Sequence, residues 1–415
     1  MPFQTVRGMR DFLPEQAKKK QFIEDSCRRV FEKYGFEPLQ SPVVEDFALL
    51  AAKGSGGEAI KDEIYYFKDK GERELGLRYD LTVPLARIVA SNPVLQKPFK
   101  RYCIGTVYRY DRPQAKRYRE FTQADVDIVG AKSVLADFEC IQISADIMRS
   151  LEFEFKIKVN NRMLLEDLAK KCGIVQEQVK DAFRSIDKLD KIGEKEVRKE
   201  FKEKGISDKF LGSIITNSFE DVKDLVGETF GFKELERLIS LSKENEIPEV
   251  AFDVSLARGL EYYTGNVFEI SITEGPSVGG GGRYDKLIEL YGGTPTPAVG
   301  ISFGIDRLLD SLEQALVIGA NSDLFIAPIS DECAGAAASL AMRLRKARIA
   351  VEIDVMQRNV KKNLEYVNRK GISFFAVLGE NEMKSGKIKV KDMGRSEEKE
   401  FAIDDIEGMV GFIGK

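Results

Sequence analysis

Residues 107–130 read VYRYDRPQAKRYREFTQADVDIVG, a stretch that joins a dense cluster of cations to a clear strand pattern. Its second half, FTQADVD, alternates in polarity as a half-buried strand does. Its first half carries four arginines among tyrosines: Arg109, Arg112, Arg117 and Arg119. Arginine offers a rigid fork of donors that matches phosphate and stays charged. Taken alone, the cluster indicates either a solvated charged hairpin or an anion-binding site.

Strand-like segments rich in aromatic and β-branched residues lie before this stretch: IYYFKD, ELGLRYD and FKRYCIGTVYRYD. Between the last two, LTVPLARIVA predicts a helix with Pro84 in its first turn, where proline is tolerated. Residues 15–34 predict a helix with one apolar face, formed by Phe22, Ile23, Val30 and Phe31 and closed by Gly35. The extended segment FEPLQSPVVE contains two prolines, which favour a sheet edge or an interface.

Further along the chain, the pattern predicts a helix over 133–150, the strand FKIKVNN and a charged helical insertion over about 162–245. Strands resume at VAFDVSLARGLEYYTGNVFEISI and PAVGISFGI, followed by the helix DRLLDSLEQAL. Strands then alternate with helices over 323–415, which predicts a small α/β domain with a mainly parallel sheet. We therefore expect one domain over 1–320 and a second over 323–415.

Composition excludes several classes of chemistry. The chain has 415 residues, a formal net charge of −4 and no histidine. Ser-His-Asp and Cys-His nucleophilic machinery, HExxH zinc sites and a histidine general base are therefore excluded. The five cysteines form no CxxC pair, which favours reduced thiols in a cytoplasm and argues against structural zinc. The N-terminus lacks the apolar core of a signal peptide, and no apolar run is long enough to span a membrane.

Two glycine-containing segments mark further candidate ligand contacts. Gly279–Gly282 precede Arg-Tyr-Asp and fit neither a Walker loop nor a dinucleotide fingerprint. They permit close approach of a ligand to the backbone, although a flexible turn explains them equally well. In PAVGISFGIDRLL, small residues are expected to leave one strand face open, and Arg307 lies near the start of a helix. An arginine there is unfavourable without an anion to meet, unless it simply reaches to water.

The segment LARGLEYYTG places Arg258 between apolar neighbours and is followed closely by Tyr262 and Tyr263. An ordinary sheet face explains the tyrosines, but it explains the arginine less well. In this order the segments resemble the histidyl-tRNA synthetases, a family of class II aminoacyl-tRNA synthetases. VYRYDRPQAKRYREFTQADVDIVG is similar to class II motif 2, AVGISFGIDRLL to motif 3, and the first helix with its proline-containing strand to the dimer-forming motif 1. LARGLEYYTG and GGGGRYD are similar to the two histidine-specific signatures, and the likeness runs from VRGMRDFLP into the C-terminal domain.

The resemblance implies an α+β fold: an antiparallel six-stranded catalytic sheet with flanking helices and a helical insertion, plus a C-terminal α/β anticodon-binding domain. It implies a homodimer that activates L-histidine with ATP and Mg²⁺ to histidyl-adenylate and then transfers histidine to the 3′ end of tRNA(His). The implied roles follow residue by residue. Arg109 grips the α-phosphate, and Arg117 and Arg307 hold the outer phosphates. Asp80, Thr82 and Gln123 take the amino and carboxylate groups. Asp127, Tyr262 and Tyr263 surround the imidazole, Arg258 stabilises charge at the α-phosphate, and Gln114 meets the tRNA acceptor end.

This chemistry suits a chain without histidine, because the substrate carboxylate is already an ionised nucleophile and needs no enzyme base. Catalysis then consists of positioning and electrostatic stabilisation, which arginines supply. Two alternatives remain: a regulatory histidine-binding paralogue that belongs to ATP phosphoribosyltransferase, and a non-enzymatic RNA-binding module. The paralogue typically lacks the anticodon domain and has lost catalytic arginines, whereas this chain has a C-terminal α/β segment and retains Arg109, Arg258 and Arg307.

Overall fold

The computed structural model describes residues 3–52, 62–110, 118–216, 218–257, 262–273, 275–312 and 318–414, except for the side chains of residues 190 and 191. The chain divides into two compact units, Met1–Leu316 and Val317–Lys415. The division lies just before the expected linker at 320–322. Each unit has its own buried apolar core.

The first unit is built on one large sheet and one small sheet. Its strands are β1 (Glu37–Pro38), β2 (Val44–Asp46), β3 (Tyr66–Lys68), β4 (Glu74–Leu77), β5 (Phe99–Tyr108), β6 (Glu120–Val129), β7 (Phe155–Asn161), β8 (Val250–Phe252), β9 (Asn266–Ile272), β10 (Ser277–Arg283) and β11 (Ala298–Gly304). In the described part of the chain, the large sheet has the strand order β1-β5-β6-β11-β10-β9-β7-β8, and the small sheet has the order β2-β4-β3. The six inner strands, β5-β6-β11-β10-β9-β7, each run antiparallel to their neighbours among the six. This confirms the expected six-stranded antiparallel sheet. A short parallel strand extends each edge: β1 lies in the segment FEPLQSPVVE, predicted for a sheet edge or an interface, and β8 begins the predicted strand region at residue 250.

Helices flank the large sheet and fill the predicted insertion. They are α1 (Pro14–Lys33), α2 (Phe47–Leu50), α3 (Thr82–Ser91), α4 (Val134–Ser150), α5 (Arg162–Lys171), α6 (Gln176–Ile186), α7 (Leu189–Glu203), α8 (Asp208–Thr216), α9 (Phe219–Val226), α10 (Phe230–Glu244), α11 (Leu287–Leu290) and α12 (Ile305–Leu312). The charged stretch predicted to be helical contains α5 to α10. Their apolar faces pack into the same core as the sheet, so this segment is an integral part of the first unit.

Helix α1 shows how the sequence pattern determines the packing. Ile23, Cys27 and Phe31 are fully buried at helical spacing, which places them on one face against the sheet. Phe22, predicted for that face, lies at its exposed margin instead, and Cys27 fills the inner position. The helix is followed by Gly35 with φ +76°, a left-handed conformation that glycine adopts without strain.

The second unit consists of strands and helices in alternation, followed by a hairpin. Its elements are β12 (Leu324–Pro328), α13 (Asp331–Lys346), β13 (Val351–Ile353), α14 (Val360–Lys370), β14 (Phe374–Leu378), α15 (Glu380–Ser385), β15 (Lys387–Asp392), β16 (Glu398–Ala402) and α16 (Ile406–Ile413). The described strands form one sheet in the order β13-β12-β14-β15-β16. The first two pairings are parallel and the last two antiparallel, so the prediction of a mainly parallel sheet was wrong for its second half. The connection through α15 is too short for a parallel crossover, so β15 runs back along β14.

A helix that spans a membrane must be long and mostly apolar. Within the described ranges, none of the helices is both long and apolar enough to cross a membrane.

An arginine from the N-terminal segment joins three parts of the first unit. Arg10 forms ion pairs with Asp306 (Nη2–Oδ1, 2.9 Å) and Asp310 (Nη1–Oδ1, 3.0 Å), both on α12. Its guanidinium lies over the Tyr118 ring, 3.8 Å from the centroid. Asp306 also accepts a hydrogen bond from the Thr122 amide of β6 at 2.7 Å. The N-terminal segment, α12 and the central strand are thereby held together by one partly buried cation.

Arg10→Met is expected to lower the free energy of unfolding by about 1–2 kcal/mol, because two carboxylates lose a charged partner while the apolar stem is kept. Urea denaturation followed by circular dichroism measures the change. The matched control is Arg73→Met, which removes an ion pair from a highly exposed arginine and should change stability by less than about 0.5 kcal/mol. Equal losses in the two variants would contradict a joining role for Arg10.

Candidate active site

Strand β6 divides its side chains between the apolar core and a polar face of the sheet. Ala124, Val126 and Ile128 are buried in the apolar core. Because side chains alternate along a strand, Gln123, Asp125 and Asp127 lie on the opposite face of the sheet. The neighbouring strands place further residues beside them in register, namely Arg101, Cys103 and Gly105 on β5 and Gly300, Ser302 and Gly304 on β11. This polar face, called the groove below, is therefore a row of amide and carboxylate groups on β6, flanked by Arg101 and by positions with small side chains.

Asp127 lies at the C-terminal end of the row and is almost completely buried. Its Oδ2 is 2.6 Å from Nη2 of Arg101, which is also buried, and its Oδ1 accepts a hydrogen bond from the Tyr284 hydroxyl. Burial raises the pKa of Asp127, while the Arg101 cation opposes that rise. A Cβ atom on Gly300 would overlap the Asp127 carboxylate. The expectation of an open strand face at this glycine is therefore corrected: the Asp127 carboxylate fills the space.

Asp80 and Thr82 lie at the start of α3, beside the same groove. Asp80 Oδ1 accepts a hydrogen bond from the Val83 amide at 3.0 Å. Burial raises the pKa of Asp80 to about 6, against the opposing effect of that amide and of the Arg109 and Arg101 charges. Thr82 is the first residue of the helix. The helix N-terminus thus presents both residues near the arginines of β5.

The two described phosphate-binding candidates are anchored through backbone carbonyls. Arg109 follows β5, donates from Nε to the Tyr79 carbonyl at 3.0 Å and lies 5.2 Å from the centroid of the Phe121 ring. Arg307 lies in the first turn of α12 and donates from Nη1 to the Ser277 carbonyl at 2.8 Å. Three predicted site residues, Gln114, Arg117 and Arg258, lie outside the described residues.

Aromatic rings form the wall of the groove near Asp127. The ring centroids of Tyr262 and Tyr263 are 4.8 Å apart, and Tyr262 contacts the Tyr284 ring edge-on at 5.9 Å. A Cβ atom on Gly282 would lie 2.9 Å from the Tyr263 ring, so this glycine makes room for the aromatic side chain. The glycine run thus serves close side-chain packing in β10, where the sequence had left a flexible turn as an alternative.

Comparison with known proteins assigns both units. The model of the histidyl-tRNA synthetase family matches residues 8–308. The chain belongs to the histidyl-tRNA synthetase family. A second family model, the anticodon binding domain, matches residues 323–411.

Individual relatives are similar in sequence to this chain over nearly its whole length. Histidine–tRNA ligase 1 of a Bacillus cereus strain is 38% identical, with 96% of this chain and 97% of the relative covered. The histidine–tRNA ligase of Methanocaldococcus jannaschii is 37% identical, with 97% and 98% covered. The crystal structure of histidyl-tRNA synthetase from Nostoc sp. PCC 7120 superimposes with a TM-score of 0.85 at 29% identity, covering 99% of this chain and 100% of that chain.

Within this histidyl-tRNA synthetase fold, the arginine of the GGGGRYD signature points away from the groove. Arg283 is buried and forms an ion pair with Asp137 at the start of α4, and it also donates to the carbonyls of Ala131 (2.9 Å) and Ser133 (3.2 Å). Burial opposes a charged guanidinium here, but the Asp137 carboxylate and its hydrogen bond raise the pKa of Arg283. This arginine joins β10 to a helix, whereas its neighbour Tyr284 faces the groove.

Four groove residues were given no site role from the sequence: Arg101, Asp125, Tyr284 and Ser302. Ser302 was expected only as a small residue on an open strand face, and Tyr284 only as part of the GGGGRYD signature. The alternation in FTQADVD contained a signal for Asp125, because it shares the parity of Gln123 and Asp127. The site roles of the other three could not be found from pattern alone. Their position in the groove depends on which residues of β5, β10 and β11 stand opposite β6, and only the strand register decides that.

Proposed function

We propose that the chain acts as a histidine–tRNA ligase and that the groove on β6 binds the histidine to be activated. The observation that carries this proposal is the buried Asp127, which keeps carboxylate lone pairs available beside the hydroxyl of Tyr284 and the ring of Tyr262. Neutral imidazole has one donor and one acceptor nitrogen. A carboxylate such as Asp127 accepts from the first. The hydroxyl of Tyr262 or Tyr263 would donate to the second, because the Tyr284 hydroxyl already donates to Asp127.

In the proposed reaction, ATP lies along the arginines at the open end of the groove. Arg109 holds the α-phosphate, and Arg117 and Arg307 hold the outer phosphates. The carbonyl contacts of Arg109 and Arg307 support these roles, because each uses one guanidinium nitrogen and restricts the orientation of the side chain. Arg258 is proposed to stabilise the charge that develops at the α-phosphate as the histidine carboxylate attacks it.

The amino acid is proposed to bind across the groove floor. Asp80, Thr82 and Gln123 hold its amino and carboxylate groups, with Asp127, Tyr262 and Tyr263 around the imidazole. This arrangement requires no protein base, because the attacking carboxylate is already ionised. The rate then depends on holding the two reactants in line, a contribution that can reach about 7–11 kcal/mol.

Magnesium is proposed to arrive with the nucleotide. Among the described residues, no group of three or more carboxylate or thiol side chains is placed to hold a metal ion. Mg²⁺ commonly binds through substrate phosphates and one or two carboxylates and keeps several waters. When bound, it would neutralise phosphate charge, which is the same task that the arginines perform.

The second unit is proposed to bind the tRNA anticodon. Gln114, which belongs to the first unit, is proposed to contact the acceptor end of the tRNA.

We also propose a homodimer. Val44 and Phe67 are exposed large apolar side chains on the same face of the small sheet, and exposed apolar patches often mark protein interfaces. A cytoplasmic location is proposed because the five cysteines form no disulfide.

ATP–pyrophosphate exchange with each amino acid in turn tests the proposed reaction. Exchange that depends on histidine alone is the expected result, with charging of tRNA(His) in a second assay. The regulatory paralogue would bind histidine without exchange, and an RNA-binding module would show neither. The match of an anticodon binding domain over residues 323–411 argues against the paralogue, which typically lacks this domain.

A chain ending at Ser322 should retain some histidine-dependent exchange and lose most tRNA charging. The reason is that every proposed contact to ATP and histidine lies before residue 310, and the second unit has a separate core. The two activities are measured on the same preparation, after sedimentation has established that the truncated chain has the oligomeric state of the full chain. Undiminished tRNA charging by the truncated chain would remove residues 323–415 from anticodon binding.

A further inference from the structure

We propose that Asp125 and Ser302 form a positioning pair for the substrate amino acid: the ionised Asp125 carboxylate holds the Ser302 hydroxyl hydrogen, and Ser302 in turn sets the orientation of the Gln123 amide. This inference rests on the proposed function and adds two residues to it. Asp125 and Ser302 stand directly opposite each other on β6 and β11. Gln123 donates from Nε2 to the Ser302 hydroxyl oxygen at 2.7 Å.

The three side chains form a chain of two hydrogen bonds, here called the relay, in which the direction of each bond is fixed. An ionised carboxylate can only accept, so the Ser302 hydroxyl donates to Asp125, and that bond favours the charged carboxylate. The hydroxyl oxygen then accepts from the Gln123 amide nitrogen. Consequently the Gln123 carbonyl oxygen is directed away from Ser302.

Two acceptor atoms beside Ser302 lack a hydrogen-bond donor in the described part of the chain. Gln123 Oε1 and Asp125 Oδ1 are both buried and have no hydrogen-bond partner among the described residues. Buried polar atoms are normally paired, and leaving one unpaired costs about 1–3 kcal/mol. A donor group within hydrogen-bond distance of both atoms would satisfy them, and the ammonium group of an amino acid carries three N–H donors.

The charge balance at the groove points to a cationic donor. Asp125 faces Arg101 and Cys103 on β5, Asp127 on its own strand and Ser302 on β11, with Asp80 nearby. Arg101 is already paired with Asp127, so Asp125 is the carboxylate with the least compensation. A substrate ammonium group would supply the missing positive charge, whereas a neutral ligand would not.

A pH dependence follows from this geometry. Burial raises the pKa of Asp125 to about 7 in the unliganded protein, with Arg101 opposing and Asp127 and Asp80 adding to the rise. Only the ionised form supports the relay, so amino acid affinity should increase as the pH rises through 7. Near pH 6 about a tenth of the molecules carry the charge, so the dissociation constant should be roughly tenfold higher there than at pH 8.

The experiment measures dissociation constants by calorimetry on the full chain. The ligand is histidine, or triazolylalanine, a histidine analogue whose ring is not protonated near pH 6. We expect Asp125→Asn to weaken histidine binding about 10- to 100-fold, to abolish the pH dependence seen with the analogue and to leave ATP binding within about twofold. Ser302→Ala should weaken histidine binding about tenfold, and Ser302→Thr, which keeps the hydroxyl, should restore it.

Asp146→Asn is the control, since it removes a carboxylate from α4 that contacts Lys33 and Tyr34 rather than the groove. Wild-type affinity in both Asp125→Asn and Ser302→Ala would overturn the positioning pair. If Asp125→Asn does not fold, an analogue affinity in the wild type that is constant from pH 6 to pH 8 would overturn it as well. Failure of the proposed function is distinguishable, because the wild-type chain would then show no histidine-dependent pyrophosphate exchange.

Discussion

Asp127→Asn is expected to raise the KM for histidine about 100-fold or more while the KM for ATP changes little. The carboxylate accepts the imidazole N–H in the proposed complex, and a site built to pair polar substrate atoms loses much when one partner is neutralised. Steady-state pyrophosphate exchange with each substrate varied in turn gives both constants. If the KM for ATP rose as much as that for histidine, Asp127 would serve general folding and not histidine recognition.

The same variant should also lose stability, because Arg101 loses its charged partner inside the protein. Removing one member of a buried ion pair typically costs about 3–5 kcal/mol. The double variant Arg101→Met with Asp127→Asn separates the two effects. It should recover much of the lost unfolding free energy, since no uncompensated charge remains, yet it should still bind histidine poorly. Recovery of histidine binding in the double variant would contradict a direct role for Asp127.

Arg258→Ala is expected to fold like the wild type and to lose adenylation by about 10²–10³-fold. A donor that meets charge only in the transition state contributes about this much to the rate. Pyrophosphate exchange measures the loss, and urea denaturation of the same sample establishes that the fold is intact. Ser311→Ala serves as the control, because its hydroxyl donates only to a backbone carbonyl within α12. Near-normal exchange in Arg258→Ala would remove this arginine from the active site.

Local sequence determined the elements of this protein and many of the residues that line its groove. The apolar spacing in α1, the alternation in FTQADVD and the strand–helix alternation after residue 323 depend only on near neighbours in the chain. These patterns follow from the periods of the helix and the strand, so they can be read without knowledge of the tertiary structure. Gln123 and Asp127 were named as candidates through the resemblance to the histidyl-tRNA synthetases, and the alternation adds that they share one face of β6.

Tertiary structure alone decided which distant residues meet. Arg101 stands beside Asp127, and Ser302 beside Asp125, because β5 and β11 pair with β6 in one register, and a shift by one residue would turn each side chain to the other face. The space at Gly300 is filled by Asp127 for the same reason. The return of β15 along β14 was likewise decided by the short connection between them. Strand pairing joins segments far apart in sequence, so its register is set by the packing of the whole unit and not by any local pattern.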